Sequence, residues 1–248
     1  MKYVYYIYNI KAEKMKNLCT LILAAFLFQS CGMVQGNGNI IEEERSVTDF
    51  EKITSSASID LLLQPGSTTG VKVISDENIV PLVVTEVKDG ILNVQFKKGE
   101  RIGKNSTQVV VSFPTISEIS TSGSGNVNCK GIINGNQTIS VSASGSGDVQ
   151  LAVDAPALRV TGSGSGDFTL TGFVKDVEMS LTGSGDIDAK DLKSETAKVK
   201  TTGSGNVKVF ASNTLRATSL GSGNILYWGN PSLPDTKITG SGSIKAGQ

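Results

Sequence analysis

The 248 residues hold 23 basic and 23 acidic side chains and no histidine. The missing histidine excludes His-based triads and most zinc sites, and the even charge, with no concentrated basic face, excludes a nucleic-acid binder. The length suits one large domain.

Met1–Lys14 is tyrosine-rich and has the pattern of neither a domain nor a signal. Met15 begins a different order: Lys16, an apolar run from Leu18 to Phe28, then Gln29-Ser30-Cys31. A short basic segment, about ten apolar residues and a small residue before the cut predict a secretory signal over 1–30, with Met15 as the true start. The run is too short to span a bilayer, which takes about twenty residues. The first 30 residues hold four lysines and one glutamate, so beyond them 19 basic residues face 22 acidic ones. The only cysteines beyond the signal are Cys31 and Cys129.

Residues 31–45 contain Gly36-Asn37-Gly38-Asn39 and Glu42-Glu43-Glu44 without apolar periodicity, which predicts a flexible tether. Residues 46–114 are β-rich and lack a repeat. Ser58–Gln64, Val71–Ser75 and Thr107–Phe113 read as strands. Leu82–Val87 and Ile91–Phe96 flank Lys88-Asp89-Gly90, a hairpin signal. Asp76–Pro81 reads as one helical turn with Asp76 as N-cap. This part covers the N-terminal end of whatever follows, either as further coils or as an antiparallel sheet.

Residues 115–248 are organised by Gly-Ser-Gly, at Gly123, Gly145, Gly164, Gly183, Gly203, Gly221 and Gly240, with spacings of 22, 19, 19, 20, 18 and 19. A period near twenty marks a solenoid. Around Gly164 every second residue reads Leu158, Val160, Gly162, Gly164, Gly166, Phe168, Leu170, which is strand alternation. A helix would lose about 1 kcal/mol per interior glycine. One repeat has too few inward side chains to fold alone, so each reads as one coil of a parallel β-helix. The glycines are expected on the inward side, where a larger residue overfills the bore. Cys129 falls in the frame of Leu151, Leu170 and Ala189, so it reads as core rather than as a reactive thiol.

The residue after each motif is Asn126, Asp148, Asp167, Asp186, Asn206, Asn224 and Ser243. Stacked about 4.8 Å apart, they form a ladder. The carboxylates Asp148, Asp167 and Asp186 repel at that spacing unless solvated, protonated or bridged by a cation. Two readings stay open: turn caps bonded to nearby amides, or a weak Ca²⁺ site. No other cofactor is indicated. Tyr227–Pro234, with a glycine and two prolines, reads as a loop. Within it Trp228, the only tryptophan, packs over the core end or offers a stacking platform for a sugar. The last repeat has no evident polar cap and is a place where a second copy could dock.

Several of these segments resemble one family. Gly36-Asn37-Gly38-Asn39, Glu44–Val47, Thr85–Gly90 and the Gly-Ser-Gly-Asn/Asp repeats are similar, in order, to the head-GIN-domain auto-transporter adhesins of Bacteroidetes. Phe28-Gln29-Ser30-Cys31 likewise resembles the lipobox of lipoproteins from such bacteria. The resemblance implies a right-handed parallel β-helix, acylation of Cys31, an outer-membrane lipoprotein facing the periplasm or the surface, and a binding role toward a glycan or protein. It carries no catalytic residues over. An ordinary signal peptide beside an incidental cysteine is the alternative for Cys31. A structural envelope role and a carbohydrate-active β-helix enzyme are the alternatives for the whole chain. For such an enzyme Asp148, Asp167 and Asp186 are the acidic candidates.

Overall fold

The computed structural model describes residues 32–248; the predicted signal and Cys31 lie outside them. Eighteen strands follow in chain order. The first nine are β1 (Ile40–Arg45), β2 (Lys52–Ser56), β3 (Asp60–Pro65), β4 (Gly70–Asp76), β5 (Val83–Lys88), β6 (Ile91–Phe96), β7 (Gln108–Phe113), β8 (Glu118–Gly123) and β9 (Val127–Asn134). The rest are β10 (Thr138–Gly145), β11 (Val149–Gly164), β12 (Phe168–Gly183), β13 (Ile187–Gly203), β14 (Val207–Phe210), β15 (Thr214–Gly221), β16 (Ile225–Trp228), β17 (Ser232–Gly240) and β18 (Ile244–Ala246).

The repeats wind one coil each into a parallel β-helix of about seven turns. Gly145 pairs with Gly164, Gly164 with Gly183, Gly183 with Gly203 and Gly203 with Gly221. Equivalent apolar residues therefore stack into continuous columns inside the coil. One column is Val141, Val160, Met179, Val199 and Ala217, all buried. Another is Val149, Phe168, Ile187, Val207 and Ile225. Each coil covers the apolar edge of its neighbour, which no single repeat can do for itself.

The Gly-Ser-Gly corners differ from the sequence expectation. The first glycine leaves the inward set. Gly145 and Gly164 are exposed, and all seven first glycines have φ between +113° and +134°. From Gly123 to Gly203 the carbonyl of the first corner glycine accepts two N–H groups from the next coil: Gly145 O receives Ser165 N–H at 2.8 Å and Gly166 N–H at 3.2 Å. A Cβ on Gly164 would overlap that same Gly145 oxygen, and one on Gly166 the Gly147 oxygen. The glycines are required by coil-on-coil approach, not by the width of the bore. The residue with the expected bore role is Gly162, where a Cβ would lie 2.8 Å from the Phe168 ring and 2.9 Å from Leu181.

The N-terminal part both coils and caps. β2 and β3 form a coil beneath β8 and β9, with Ile53 on Ile119 and Leu61 on Val127. β6 and β7 form the coil beneath that, with Lys52 on Ile91 and Asp60 on Gln108. The chain thus builds one coil, returns under it, and crosses past it through Pro114–Ser117 to continue above. Ala57-Ser58-Ile59-Asp60 is a corner that lacks the glycines: Gly125 approaches the Ile59 backbone, and Ala57 has φ +85°. Its Cβ is tolerated because the layer below contributes the longer 97–107 connection there instead of a tight corner. β5 pairs antiparallel with β6 through a turn at Asp89 and Gly90, with φ +52° and +74°, the values a two-residue hairpin needs. β4 pairs antiparallel with β7, and β1 with β4. The helical turn is a short 3-10 segment, Val80–Leu82, with no side-chain cap.

The polar stretch expected as a flexible tether is built into the fold from Val34 onward. Val34 N–H donates to Arg101 O at 2.8 Å, Gly36 N–H to Lys104 O at 2.9 Å, and Gly38 N–H to the buried Asp76 carboxylate at 2.7 Å. Backbone amides here have partners, so the low hydrophobicity that suggested disorder misled. The Tyr227–Pro234 loop also shrinks to a turn at Gly229-Asn230-Pro231. Pro234 lies within β17, whose nine residues are all exposed, and proline is tolerated on such an edge.

Two glycine substitutions separate close approach from backbone strain. Gly166→Ala keeps an ordinary φ but meets the Gly147 carbonyl, whereas Gly131→Ala has φ +116° and open space. Gly166→Ala should cost about 3 kcal/mol or more, the upper end of overpacking, because backbone cannot move aside as a side chain can, and Gly131→Ala about 1–2 kcal/mol. Chemical denaturation of the two variants measures this ordering.

Candidate functional site

The Asn/Asp column lies along one corner of the rod. From Asn126 to Asn206 each side chain accepts the backbone N–H of its counterpart one coil on, and Asn224 Oδ1 accepts the Ser243 hydroxyl instead. Asn126 Oδ1 takes Asp148 N–H at 2.9 Å, Asp148 Oδ1 takes Asp167 N–H at 2.9 Å, and Asp167 Oδ1 takes Asp186 N–H at 2.8 Å. Asp186 Oδ1 accepts both the N–H and the Nδ2 of Asn206, at 2.7 and 3.1 Å. Asp60, in the corner without glycines, does the same for Asn126 N–H at 2.7 Å. The corner backbone would otherwise leave one donor per coil unpaired. A carboxylate suits the task because an amide hydrogen bonded to a charged oxygen is a strong bond. Among the described residues, no three acidic, cysteine or histidine side chains converge as metal ligands.

Two groups of outward charges on the walls are paired along the stack. Glu178 lies 3.3 Å from Arg159 and 2.8 Å from Lys198, on the coils to either side. The hydrogen bond from Lys198, with further help from Arg159, holds the Glu178 carboxyl below its ordinary value. Asp188 bonds Lys208 at 2.9 Å. Such exposed pairs contribute little to stability, about 0–1 kcal/mol each.

A different edge carries aromatic rings. Phe173 pairs in register with Lys193 on the next coil, Lys193 Nζ stands 4.2 Å from the centre of the Phe210 ring, and Phe210 pairs with Trp228. Four coils thus present Phe173, Lys193, Phe210 and Trp228 in succession. Phe173 is 65 % exposed, the most open of the large apolar side chains among the described residues. A groove of about 340 Å³ runs beside it, bordered also by Asp154, Lys175 and Glu195. Flat rings at coil spacing, with a cation among them, can stack on a ligand that lies along the rod. A larger groove of about 590 Å³, lined by Glu51, Asn134, Asn136 and Gln137, flanks the 114–117 crossing and has no aromatic ring.

Of the residues singled out in the sequence, Trp228 belongs to the aromatic edge. Its indole is half-buried, its Nε1–H reaches Gln248 O at 3.4 Å, and Gly247 lies against its ring. Phe173, Lys193 and Phe210 were not legible as a group. Their spacing is unequal because β13 carries a register shift and the following coil is shorter. Cys129 is half-buried against the core rather than fully inside, since β9 bulges between Asn128 and Ile132. Burial still pushes its thiol up to about 11.

Stacked parallel coils with an aromatic edge along one side define the architecture as a β-solenoid. The chain belongs to the family described as putative auto-transporter adhesin, head GIN domain, which residues 49–231 match. The fold is shared with a putative adhesin from Bacteroides fragilis, 24 % identical, with TM-score 0.82 over 86 % of this chain and 99 % of that one. A putative lipid binding protein from Parabacteroides distasonis is 26 % identical, with TM-score 0.70 over 88 % and 100 %. A putative adhesin from the same organism is 26 % identical, with TM-score 0.64 over 87 % and 100 %. No curated protein matches the chain. Family and neighbours together support a binding or adhesion role.

The corner column gives a graded expectation. Asp167→Asn keeps an oxygen for Asp186 N–H and should change the melting temperature little. Asp167→Ala leaves that donor unpaired and should cost about 1–2 kcal/mol. Ca²⁺ should leave the melting temperature of both unchanged. With its thiol raised to about 11, Cys129 should react slowly with iodoacetamide near neutral pH in the folded protein and quickly once urea unfolds it, because only the thiolate attacks.

Proposed function

We propose that the protein is an envelope-anchored, non-enzymatic binding module, held by a lipid on Cys31, that engages an extended glycan along the aromatic edge. The observation that carries this reading is the exposure of Phe173 beside Lys193 and Phe210 on successive coils. An exposed ring costs free energy in water and recurs where a partner covers it. Sugar rings have apolar faces that stack on aromatic side chains, and Lys193 and Lys175 supply donors or a positive charge for hydroxyl or acidic groups. Similar structures named for adhesion and for lipid binding agree on recognition as the shared role.

The corner carboxylates argue against the enzyme alternative. Asp148, Asp167 and Asp186 each commit Oδ1 to an amide of the next coil. A lyase or hydrolase needs carboxyl groups free to move protons at the reacting bond.

A glycan array, followed by titration of the strongest hit, tests the reading. Phe173→Ser and Lys193→Gln should each weaken binding about tenfold, the scale of one lost stacking or charged contact, with an unchanged melting temperature. Asp167→Asn should bind as the parent does. Glycan binding indifferent to Phe173 and Lys193 would remove the aromatic edge from consideration, and product release by the parent protein would overturn the non-enzymatic assignment.

A further inference from the structure

We propose that the rod stands on the membrane on its N-terminal corner, with the 97–104 loop against anionic phospholipid headgroups and the aromatic edge held away from the bilayer. The proposal rests on the Cys31 anchor of the preceding reading.

The reach of the anchor comes first. Cys31 is three residues from Val34, whose N–H is bonded to Arg101 O and whose carbonyl accepts Gly103 N–H at 2.9 Å. Three residues span at most about 11 Å. A lipid on Cys31 therefore holds this corner of the fold, and not merely the chain, at the bilayer. Met33, 58 % exposed, lies between the two.

The charge of that corner comes second. Lys97, Lys98, Arg101 and Lys104 are all exposed, and among the described residues none of them forms an ion pair. Glu100 is the only acid in the loop. Glu86 and Asp89, on the β5–β6 hairpin at the opposite end of β6 from the loop, are exposed and form no ion pair among the described residues, but the acids nearest the segment from Cys31 are engaged. Glu42 and Glu44 pair with Lys72, and Glu43 with Arg45. Glu77 accepts from Asn39 Nδ2, and Asp76 is buried on Gly38 N–H. A cluster of free basic residues beside a lipid anchor is complementary to an anionic headgroup layer.

The orientation follows from what lies above the loop on the same edge. The 97–107 connection joins β6 to β7 where every later coil has its Gly-Ser-Gly corner. That edge is basic at its foot and acidic higher up, at Asp148, Asp167 and Asp186. Asp148 is three layers from β7, about 14 Å at 4.8 Å per layer, which exceeds the screening length of about 8–10 Å. A rod lying down along this edge would press those carboxylates onto anionic headgroups. An upright one keeps them in solution and sets Phe173 about 19 Å and Trp228 about 34 Å above the foot.

Trp228, as the only tryptophan, reports the far end. Full-length acylated protein is placed in phosphatidylglycerol–phosphatidylcholine vesicles doped with dansyl-labelled headgroups, and energy transfer from Trp228 is measured. Transfer should be weak, and should rise when Lys97, Lys98, Arg101 and Lys104 are all changed to Gln, with no change in melting temperature. In a second arm the Cys31→Ser protein should sediment with phosphatidylglycerol vesicles but not with pure phosphatidylcholine, and the four Gln changes should weaken that binding at least about tenfold at low salt. Strong transfer from Trp228 in the acylated protein, or vesicle binding indifferent to the four changes, overturns the proposal. An unacylated Cys31 by intact mass, with charge-dependent vesicle binding retained, overturns the anchor and upholds the basic foot.

Discussion

One carbonyl per coil sets the spacing of the rod. From Gly123 to Gly203 the first glycine of the corner turns its C=O toward the next coil, where two successive N–H groups converge on it. A methyl group at the first glycine of the next corner would occupy the space that this oxygen fills, and one at the second glycine would meet the oxygen of the second glycine below it. The first glycine, with its positive φ, follows from that contact, and the second glycine from the matching approach of its own counterpart one coil below. The column after the corner is its complement, because the next amide along needs an acceptor, and Asn or Asp supplies it from the coil below. Three aspartates in a row serve there as hydrogen-bond acceptors for the backbone.

A stack of parallel coils has two ends, each with a row of unpaired backbone groups. The N-terminal end is closed by changing direction: β4 and β5 run antiparallel on the lowest coil, and β1 runs antiparallel on β4. Interleaving the 52–65 coil between two later ones ties this cap to the repeats, since it cannot peel away without opening pairs on both sides. The wide 97–107 connection is possible only at this level, where no tight corner has to stack beneath another. The same connection supplies the basic foot and receives the segment that leads from Cys31. At the other end β17 stays exposed along its length, with Pro234 and Lys237 on it, two features that discourage further pairing.

The exterior divides its labour in a way that follows from stacking. Outward residues of neighbouring coils sit close enough to satisfy one another, as Arg159, Glu178 and Lys198 do. What remains available to a partner is whatever the stack does not pair internally. It includes the edge where Phe173, Lys193, Phe210 and Trp228 follow one another, and the loop where four basic side chains form no ion pair among the described residues.

The repeat period, the alternation within each coil and the hairpin at Asp89-Gly90 are readable in the chain itself, because each is a local pattern that short-range sterics enforce. The membership of the Asn/Asp column is readable too, since a fixed offset from the corner survives any fold that stacks the corners. Other features needed the coils to be laid on one another. Ala57-Ser58-Ile59-Asp60 is a corner without the glycines that mark corners, recognisable only once Asp60 is seen bonding Asn126. Gly162 and Gly164 look alike in sequence, yet one faces a phenyl ring and the other a carbonyl. The residues from Val34 to Asn39 have the composition of a linker and are ordered by partners some forty to seventy positions away. Local chemistry decided how each coil bends. Contacts between distant segments decided which coil lies on which, and through that which side chains are left to face a ligand or a membrane.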